Sequence, residues 1–451
     1  MRLLVRSERQ HDGGTLDVSG EPWAIRDFED SELPGAQGIP EYTCVSYAWG
    51  SGRIPHPFDR DEVISDRALR VLGAVVRICS PDAVWIDALS VATEPRAKAE
   101  TLRRLGGIYA RAERVVVALS DHCLPLVQKY QRGESVDADA LSRLEDEPWI
   151  KRFWTYQELA KSRLMSFLVE RGSDTVIDGP EFLNYVGQGM WNQQKVSVAT
   201  SLFPAVENLV DVLASWMHTG SEPFAYQVMA GLAERLGEFP ADRFDAVLGV
   251  IAPDALTDAS PDLASASERF MLACEAKGDL SFIYSTGPRS EQAGRSWRPA
   301  PGDVSPILAW HTLGGGQRGI VETTHVRLDE LVCMSSGLLS SEARAVVEEH
   351  LSLALPRSEE VLSRRVLQQL RTMGFSGSGC PIELEHGFFL PQQSHENAEA
   401  CLVLVATEVL WVHGAPALLV EPVTTGRYRC RGVGLFFGAI PKHGRQSFEI
   451  E

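Results

Sequence analysis

The chain lacks the features that mark secreted and membrane-bound proteins. Its eight cysteines, at 44, 79, 123, 274, 333, 380, 401 and 430, form no C-x-x-C pair and no short Cys/His cluster. That argues against a disulfide scaffold or a structural zinc site and for reduced thiols in the cytosol. No N-x-Ser/Thr glycosylation acceptor occurs. No apolar run approaches the roughly 18 residues that cross a bilayer, and Arg2, Arg6, Glu8 and Arg9 interrupt the start before a signal-peptide core could form. Basic residues are also short. Against 61 Asp and Glu there are 43 Lys and Arg, a net charge of −18, which disfavours nucleic acid and anionic membrane, because both bind chiefly through cations that neutralise phosphate. The expectation is a cytoplasmic protein with no nucleic-acid partner, no membrane span and no metal, in which a small basic pocket could still accept one anionic ligand.

What is present is an ordinary globular composition, 44% hydrophobic and 23% charged over 451 residues, enough for two or three domains at about 100–200 residues each. Short apolar runs at 43–47, 83–87, 115–119 and 164–169 read as buried strands. Between the first two, Leu69, Leu72, Val76 and Cys79 recur at helical steps while Arg67, Arg70 and Arg77 take other positions, predicting an amphipathic helix over 65–80 with Ser65 or Asp66 as N-cap. Thr93-Glu94-Pro95 opens a second helix with a buried stripe of Leu102, Leu105, Ile108 and Tyr109, and a third covers 149–161. This β-α-β order predicts a parallel sheet covered by helices on both faces, with ligands outside the carboxyl ends of its strands.

Beyond residue 184 the character changes. Helices are expected over 202–217, 225–236 and 243–251, then a Pro/Ser/Asp-rich stretch at 253–267, then strands over 280–284, 307–313, 382–390, 400–405, 417–420 and 432–437. The organisation predicted is an α/β domain over 1–183 and an α+β C-terminal domain over 184–451, helical first and β-rich later.

Three local patterns read as ordinary structure. Gly314, Gly316 and Gly319 fit G-x-G-x-x-G, but strand-forming residues follow where a phosphate site needs a helix, so the segment is a turn. Ser120, Asp121 and His122 are too close in sequence for triad geometry. Glu348-Glu349-His350 lies on a solvated helical face. The segment 151–159 carries more. On a helix Trp154 and Glu158 share a face, which sets an indole beside a carboxylate, with Lys151 and Arg152 in front to suit a phosphate-bearing ligand. The plain alternative is a helix that buries Phe153 and Trp154 and leaves Glu158 at its rim.

Tyr42-Thr43-Cys44-Val45-Ser46-Tyr47-Ala48-Trp49-Gly50, Val84-Trp85-Ile86-Asp87-Ala88-Leu89 and Arg152-Phe153-Trp154-Thr155-Tyr156-Gln157-Glu158-Leu159 resemble, in order and spacing, the fungal heterokaryon-incompatibility (HET) domain. The link Ile108 to Val115 is similar to that family as well, and 241–249 and Arg295-Ser296-Trp297-Arg298-Pro299 are similar to the region that follows the domain in many members. That family is itself similar to Toll/interleukin receptor (TIR) domains, flavodoxin-like sheets of which several hydrolyse NAD at the nicotinamide–ribose bond. The TIR pattern Trp-Cys-x-x-Glu-Leu falls on Trp154 to Leu159.

The resemblance implies a flavodoxin-like, TIR-like fold with Glu158 as catalytic residue. Ser46, Tyr47, Trp49, Gly50, Arg53, Asp87 and Trp154 would contact the substrate, Trp49 or Trp154 as a wall and Arg53 or Lys151 on the pyrophosphate. It implies fungal non-self recognition and regulated cell death, NAD or a related nucleotide as substrate and no cofactor. One carboxylate under the ribose suffices for such cleavage, since nicotinamide leaves unprotonated. The departure is at Leu89-Ser90-Val91-Ala92-Thr93, where the family continues Leu-Cys-Ile-Asn/Asp-Gln. A signalling or scaffold module that self-assembles or binds a protein partner without turnover is the alternative. A third reading is a cleft between the domains that binds another small molecule.

Overall fold

The computed structural model describes residues 1–7, 14–28, 39–172, 174–194, 202–219, 223–233, 235–237, 239–252, 262–309, 314–352, 361–395 and 400–451. The chain opens with β1 (Arg2–Arg6), β2 (Leu16–Val18) and β3 (Glu21–Asp27). The α/β region follows: β4 (Thr43–Tyr47), a small hairpin of β5 (Arg53–Pro55) and β6 (Val63–Ser65), α1 (Asp66–Cys79), β7 (Ala83–Ile86), α2 (Asp87–Ser90), α3 (Pro95–Arg103), α4 (Leu105–Arg111) and β8 (Arg114–Leu119). Then come α5 (Leu124–Gln131), α6 (Ala138–Glu145), α7 (Phe153–Lys161), β9 (Met165–Val169), β10 (Ile177–Asp178) and α8 (Gly179–Gln194).

The first sheet has the order β10-β9-β8-β4-β7-β1-β3-β2. Its centre is parallel, β7 with β4, β4 with β8 and β8 with β9. Taken in chain order these four strands lie 2-1-3-4, so the chain reverses direction across the sheet between β4 and β8. All residues of β4, β7 and β9 are buried, as expected for strands with helices on both faces. Val45, Tyr47, Val84 and Ile86 pack under α1, and Cys44 and Trp85 pack under α4 with Leu105, Ile108 and Tyr109.

The sheet is mixed rather than parallel: β1 joins β7 antiparallel and carries the β2–β3 hairpin, while β10 closes the other edge antiparallel. The buried run Leu3, Leu4 and Val5 makes β1 a strand despite its charged flanks. Ser65 Oγ caps α1 as expected, but Arg67 is buried and does not belong to a solvent face. The expected second helix is two, hinged at Arg104, and the Glu94 carboxylate rather than Thr93 caps the first. The third begins as a 3₁₀ turn, Pro148–Lys151, before α7.

The expected boundary at 183/184 falls inside α8. Phe182, Leu183 and Val186 are buried in the same cluster as Phe167 and Trp149, which also takes in Val206 and Leu209, so the first layer extends past it. The remainder consists of α9 (Pro204–Thr219), α10 (Ala225–Leu232), α11 (Asp242–Ile251), α12 (Leu263–Ala276), β11 (Gly319–Val321), β12 (Val326–Ser335), α13 (Ser341–Ser352), α14 (Leu362–Thr372), β13 (Ile382–Leu384), β14 (Gly387–Pro391), β15 (Leu402–Ala406), β16 (Gly414–Thr424), β17 (Arg427–Gly438) and β18 (Arg445–Ile450). The sheet order is β11-β12-β15-β16-β17-β14-β13, and β18 pairs with both β12 and β17. That pairing closes β12, β15, β16, β17 and β18 into a ring, with β11 and β13 as the terminal strands of the order.

Two strands expected here are not strands. Ser281–Ile283 is a 3₁₀ turn, and 307–309 form none, with 310–313 outside the described residues. Of the Pro/Ser/Asp-rich stretch, 253–261 lie outside the described residues and Asp262 caps α12. The 314–319 segment is a turn that leads into β11, with Gly314 at φ 111° and Gly316 at φ 79°, a region open to glycine. Glu348 and Glu349 are exposed, while the His350 ring packs against His413 with centroids 4.5 Å apart. Arg298 forks onto Glu268 at 2.7 and 3.0 Å and reaches Glu275 at 2.5 Å, so the Arg295–Pro299 motif fastens α12.

Candidate functional site

The polar residues at the carboxyl ends of β4 and β7 meet where the strand order reverses. Alternation along β4 turns Ser46 towards the face that α7 covers. There its hydroxyl donates to Glu158 Oε2 and accepts from Trp149 Nε1 at 2.6 Å. Tyr109, from α4, hydrogen-bonds the same carboxyl. Asp87, first residue of α2, accepts from Trp49 Nε1 and from the Ala88 amide, each at 2.6 Å. Trp49 is 37% exposed and forms the outer lip.

Among the described residues the buried Arg67 Nη2 has no acceptor, while the Tyr47 hydroxyl interacts with the Asp87 carboxyl. The rest of the Arg67 guanidinium is fixed, Nε to Glu170 at 2.9 Å and Nη1 to the Ala48 carbonyl at 2.8 Å.

Glu158 is 9% exposed. Burial pushes its carboxyl up to about 8, and the charge of Asp87 adds to the rise, while the Ser46 bond, Arg152 and the Tyr109 bond oppose it. No salt bridge joins it among the described residues. Asp87 is also raised, by burial, against the Trp49 and Ala88 bonds. At neutral pH the Glu158 carboxyl therefore holds a proton, which a cation placed beside it would displace.

Of the residues singled out from sequence, the structure brings Ser46, Tyr47, Trp49, Asp87 and Glu158 together. Glu158 is buried and not at a helix rim. Gly50 sits behind them, its amide donating to Ser65 Oγ at 3.1 Å. Arg53 folds back onto its own loop, donating to the Gly50 and Gly52 carbonyls at 2.6 and 3.0 Å beneath the Trp49 ring. Lys151 pairs with Asp146 at 3.3 Å. Arg152 acts on Glu158 and Asp87 through its charge. Trp154 is turned away: its indole donates to Asp242 Oδ2 of α11 at 3.3 Å, because α11 covers that flank of α7, and the indole tied to Glu158 through Ser46 is that of Trp149.

Sequence reasoning missed Tyr109, Trp149 and Arg67 as site residues. A tyrosine in an otherwise aliphatic stripe and an arginine just after a serine cap were the available signals. At the departing loop, Ser90 Oγ accepts from the Ile86 amide at 3.2 Å and Thr93 Oγ1 donates to Asp59 at 3.2 Å. A cleft of about 470 Å³ beside this loop is lined by Arg2, Arg26, His56, Phe58, Val91 and Thr93 among others, and Glu158 is not part of it.

The C-terminal layer grips α7 from behind. Arg235 Nη1 donates to the Arg152 carbonyl at 3.1 Å and to Thr155 Oγ1 at 2.8 Å. Its burial there brings its pKa down to about 10. Gln157 is fully buried; oriented to satisfy both neighbours, it donates to the Ala246 carbonyl at 3.1 Å and accepts from the Gly106 amide at 2.7 Å. A Cβ at Gly249 would stand 2.0 Å from the end of the Gln157 side-chain amide, and one at Gly106 would stand 2.6 Å from the Gly249 carbonyl.

Compared with known families, residues 42–137 match the model described as "Heterokaryon incompatibility protein (HET)". Ser46, Asp87 and Tyr109 fall inside that match, Trp149 and Glu158 beyond it. No curated protein and no solved structure matches the chain.

Proposed function

We propose that this chain, whose residues 42–137 match the heterokaryon-incompatibility (HET) domain, cleaves the N-glycosidic bond of NAD or a related nucleotide in fungal non-self recognition. The observation that carries this reading is Glu158: a buried carboxyl free of salt bridges, pushed up to about 8, with Asp87 nearby, at the switch point of strands ordered 2-1-3-4. That strand order is the one found in flavodoxin-like sheets, which bind ligands at this point, and it supports the TIR-like relation. Desolvated carboxyls with strongly perturbed pKa values cluster at functional sites.

The chemistry suits a substrate whose reacting ring is cationic. A nicotinamide pyridinium beside Glu158 would ionise it, and the carboxylate would then stabilise the positive charge that develops on the ribose. The bond pair leaves with the nicotinamide nitrogen and cancels its charge; water adds at C1′ and its proton passes to solvent. Arg67 Nη2 offers an unspent donor to the ribose or pyrophosphate. Incubating the full chain with NAD and assaying free nicotinamide tests this: release is expected from the native protein and lost in Glu158→Gln, and full turnover by that variant would overturn it.

The closeness of the packing over Glu158, 9% exposed and held by Ser46, favours a second reading, a signalling module that works by assembly. No nicotinamide release at any protein concentration, together with a defined oligomer by size-exclusion chromatography, would select it. No described helix is long and apolar enough to cross a membrane.

A further inference from the structure

We infer that His122, Cys123 and Glu147, with the Arg143 carbonyl, form a binding site for one divalent cation of the zinc type, just beyond the carboxyl end of β8. His122 and Cys123 end a 3₁₀ turn, Asp121–Cys123, and Glu147 stands between α6 and the turn that carries Trp149. Their ligand atoms all lie within 4.8 Å of one another. A tetrahedral zinc with bonds of about 2.0–2.3 Å separates its ligand atoms by about 3.3–3.6 Å. Here His122 Nε2 is 3.0 Å from the Arg143 oxygen and 3.7 Å from Glu147 Oε2, while Cys123 Sγ is 3.5 Å from Glu147 Oε2 and 3.8 Å from the Arg143 oxygen. Four of the six donor–donor separations thus lie near the edge length of a tetrahedron around a common centre. The set of one nitrogen, one sulfur and two oxygens suits zinc and cobalt rather than calcium or magnesium.

The surroundings fit the same ion. Glu147 and Cys123 are fully buried, and the salt-bridge partner of Glu147 among the described residues is His122. A buried carboxylate beside a thiol, with so little opposing charge, is expensive; a dication would balance the carboxylate and a thiolate together. Glu147 Oε1 accepts from Ser120 Oγ at 3.2 Å and the Trp149 amide at 3.3 Å, and Oε2 accepts from the Ser120 amide at 3.0 Å while lying beside His122 and Cys123; bonds of this kind orient a metal-ligating carboxylate. His122, its side chain 37% exposed, is the side from which an ion would enter.

On binding, the thiol proton of Cys123 goes to solvent and the sulfur pair forms the metal bond. To ligate, His122 would carry its proton on Nδ1, so that Nε2, now 3.0 Å from the Arg143 oxygen, offers its lone pair. Since a thiol ligates as the thiolate, uptake releases a proton and tightens as pH rises. The ion would brace the turn whose Trp149 indole holds Ser46.

The experiment titrates the purified, reduced full chain with zinc sulfate by calorimetry and with cobalt chloride by absorption. One equivalent of zinc is expected, with a thiolate-to-cobalt charge-transfer band and the visible absorption of tetrahedral cobalt. His122→Ala and Cys123→Ser should each weaken zinc by more than the roughly 10–100-fold that outer-shell substitutions cause; Cys123→Ser should also abolish the charge-transfer band, and Cys380→Ser, at an exposed thiol elsewhere, should change neither. His122→Ala alters a half-exposed side chain and keeps the test valid should Cys123→Ser fail to fold. No stoichiometric zinc, no charge-transfer band, or equal affinity in native and His122→Ala proteins would overturn the site and leave a hydrogen-bonded knot.

Discussion

The Trp149 indole donates to Ser46 Oγ over 2.6 Å, and the same hydroxyl donates onward to Glu158. Ser46 is thereby polarised by one residue to stabilise the charge of another. Its bond opposes the upward push of burial on the carboxyl. If ionised Glu158 is the working form, kcat/KM for nicotinamide release rises with pH to a plateau, with its midpoint near 8. Ser46→Ala should move that midpoint upward by about one unit and lower the rate at neutral pH. A profile that falls through the same range would assign Glu158 the opposite role, that of an acid.

Glu158→Gln should stabilise the protein. The carboxyl sits near 8 when folded against an ordinary 4.5, so between those limits the folded state holds a proton that the unfolded state has lost, and native stability declines as pH rises across that window. The neutral amide escapes the decline. Thermal melts at pH 5 and pH 8 should show the variant little changed at the first and gaining on the order of a few kcal/mol at the second. No pH dependence in the difference would mean that Glu158 is well solvated.

Gly106→Ala should destabilise by about 1–3 kcal/mol through overpacking, because its Cβ would meet backbone, the Gly249 carbonyl, at 2.6 Å. Gly107→Ala, whose Cβ would meet nothing closer than an arginine terminus at 4.0 Å, serves as the comparison and should be neutral or better, as alanine is the stronger helix former. Chemical denaturation of the pair distinguishes steric from propensity effects.

Arg298→Ala should cost about 1–3 kcal/mol, since it leaves the buried carboxylate of Glu275 with Arg295 alone, at 3.6 Å. Arg298→Lys keeps the charge and forfeits the fork onto Glu268, so an intermediate loss is expected. Equal losses from both would show the geometry to matter and the charge not.

The parallel strands were legible because each is short, β-branched and buried on both faces, as in Val115 to Leu119. β1 was not, since charge at Arg2 and Arg6 flanks it and its partner β3 alternates weakly. At the site, the resemblance to HET and TIR domains pointed to Ser46, Asp87 and Glu158. Tyr109, Trp149 and Arg67 were hidden because an apolar-looking position says nothing of where a hydroxyl, an indole N–H or a guanidinium tip is aimed. Trp154 misled for the complementary reason: a helix period assigns faces but not neighbours, and α11 supplied the neighbour. The 280–284 run failed because aromatic content favours burial as much as extension; Phe282, Ile283 and Tyr284 are core residues of a turn.

The back of α7 is shared property: Phe153 and Tyr156 lie in one apolar cluster with Phe224, Met229, Phe244 and Val247, and Gln157 is wedged between Gly106 and Gly249. A fragment ended at residue 183 would carry that surface bare into water and should be recovered as aggregate. For the same reason, chimaeras that graft the C-terminal half of one relative onto the N-terminal half of another should survive only where the incoming helix presents a residue without a side chain at position 249.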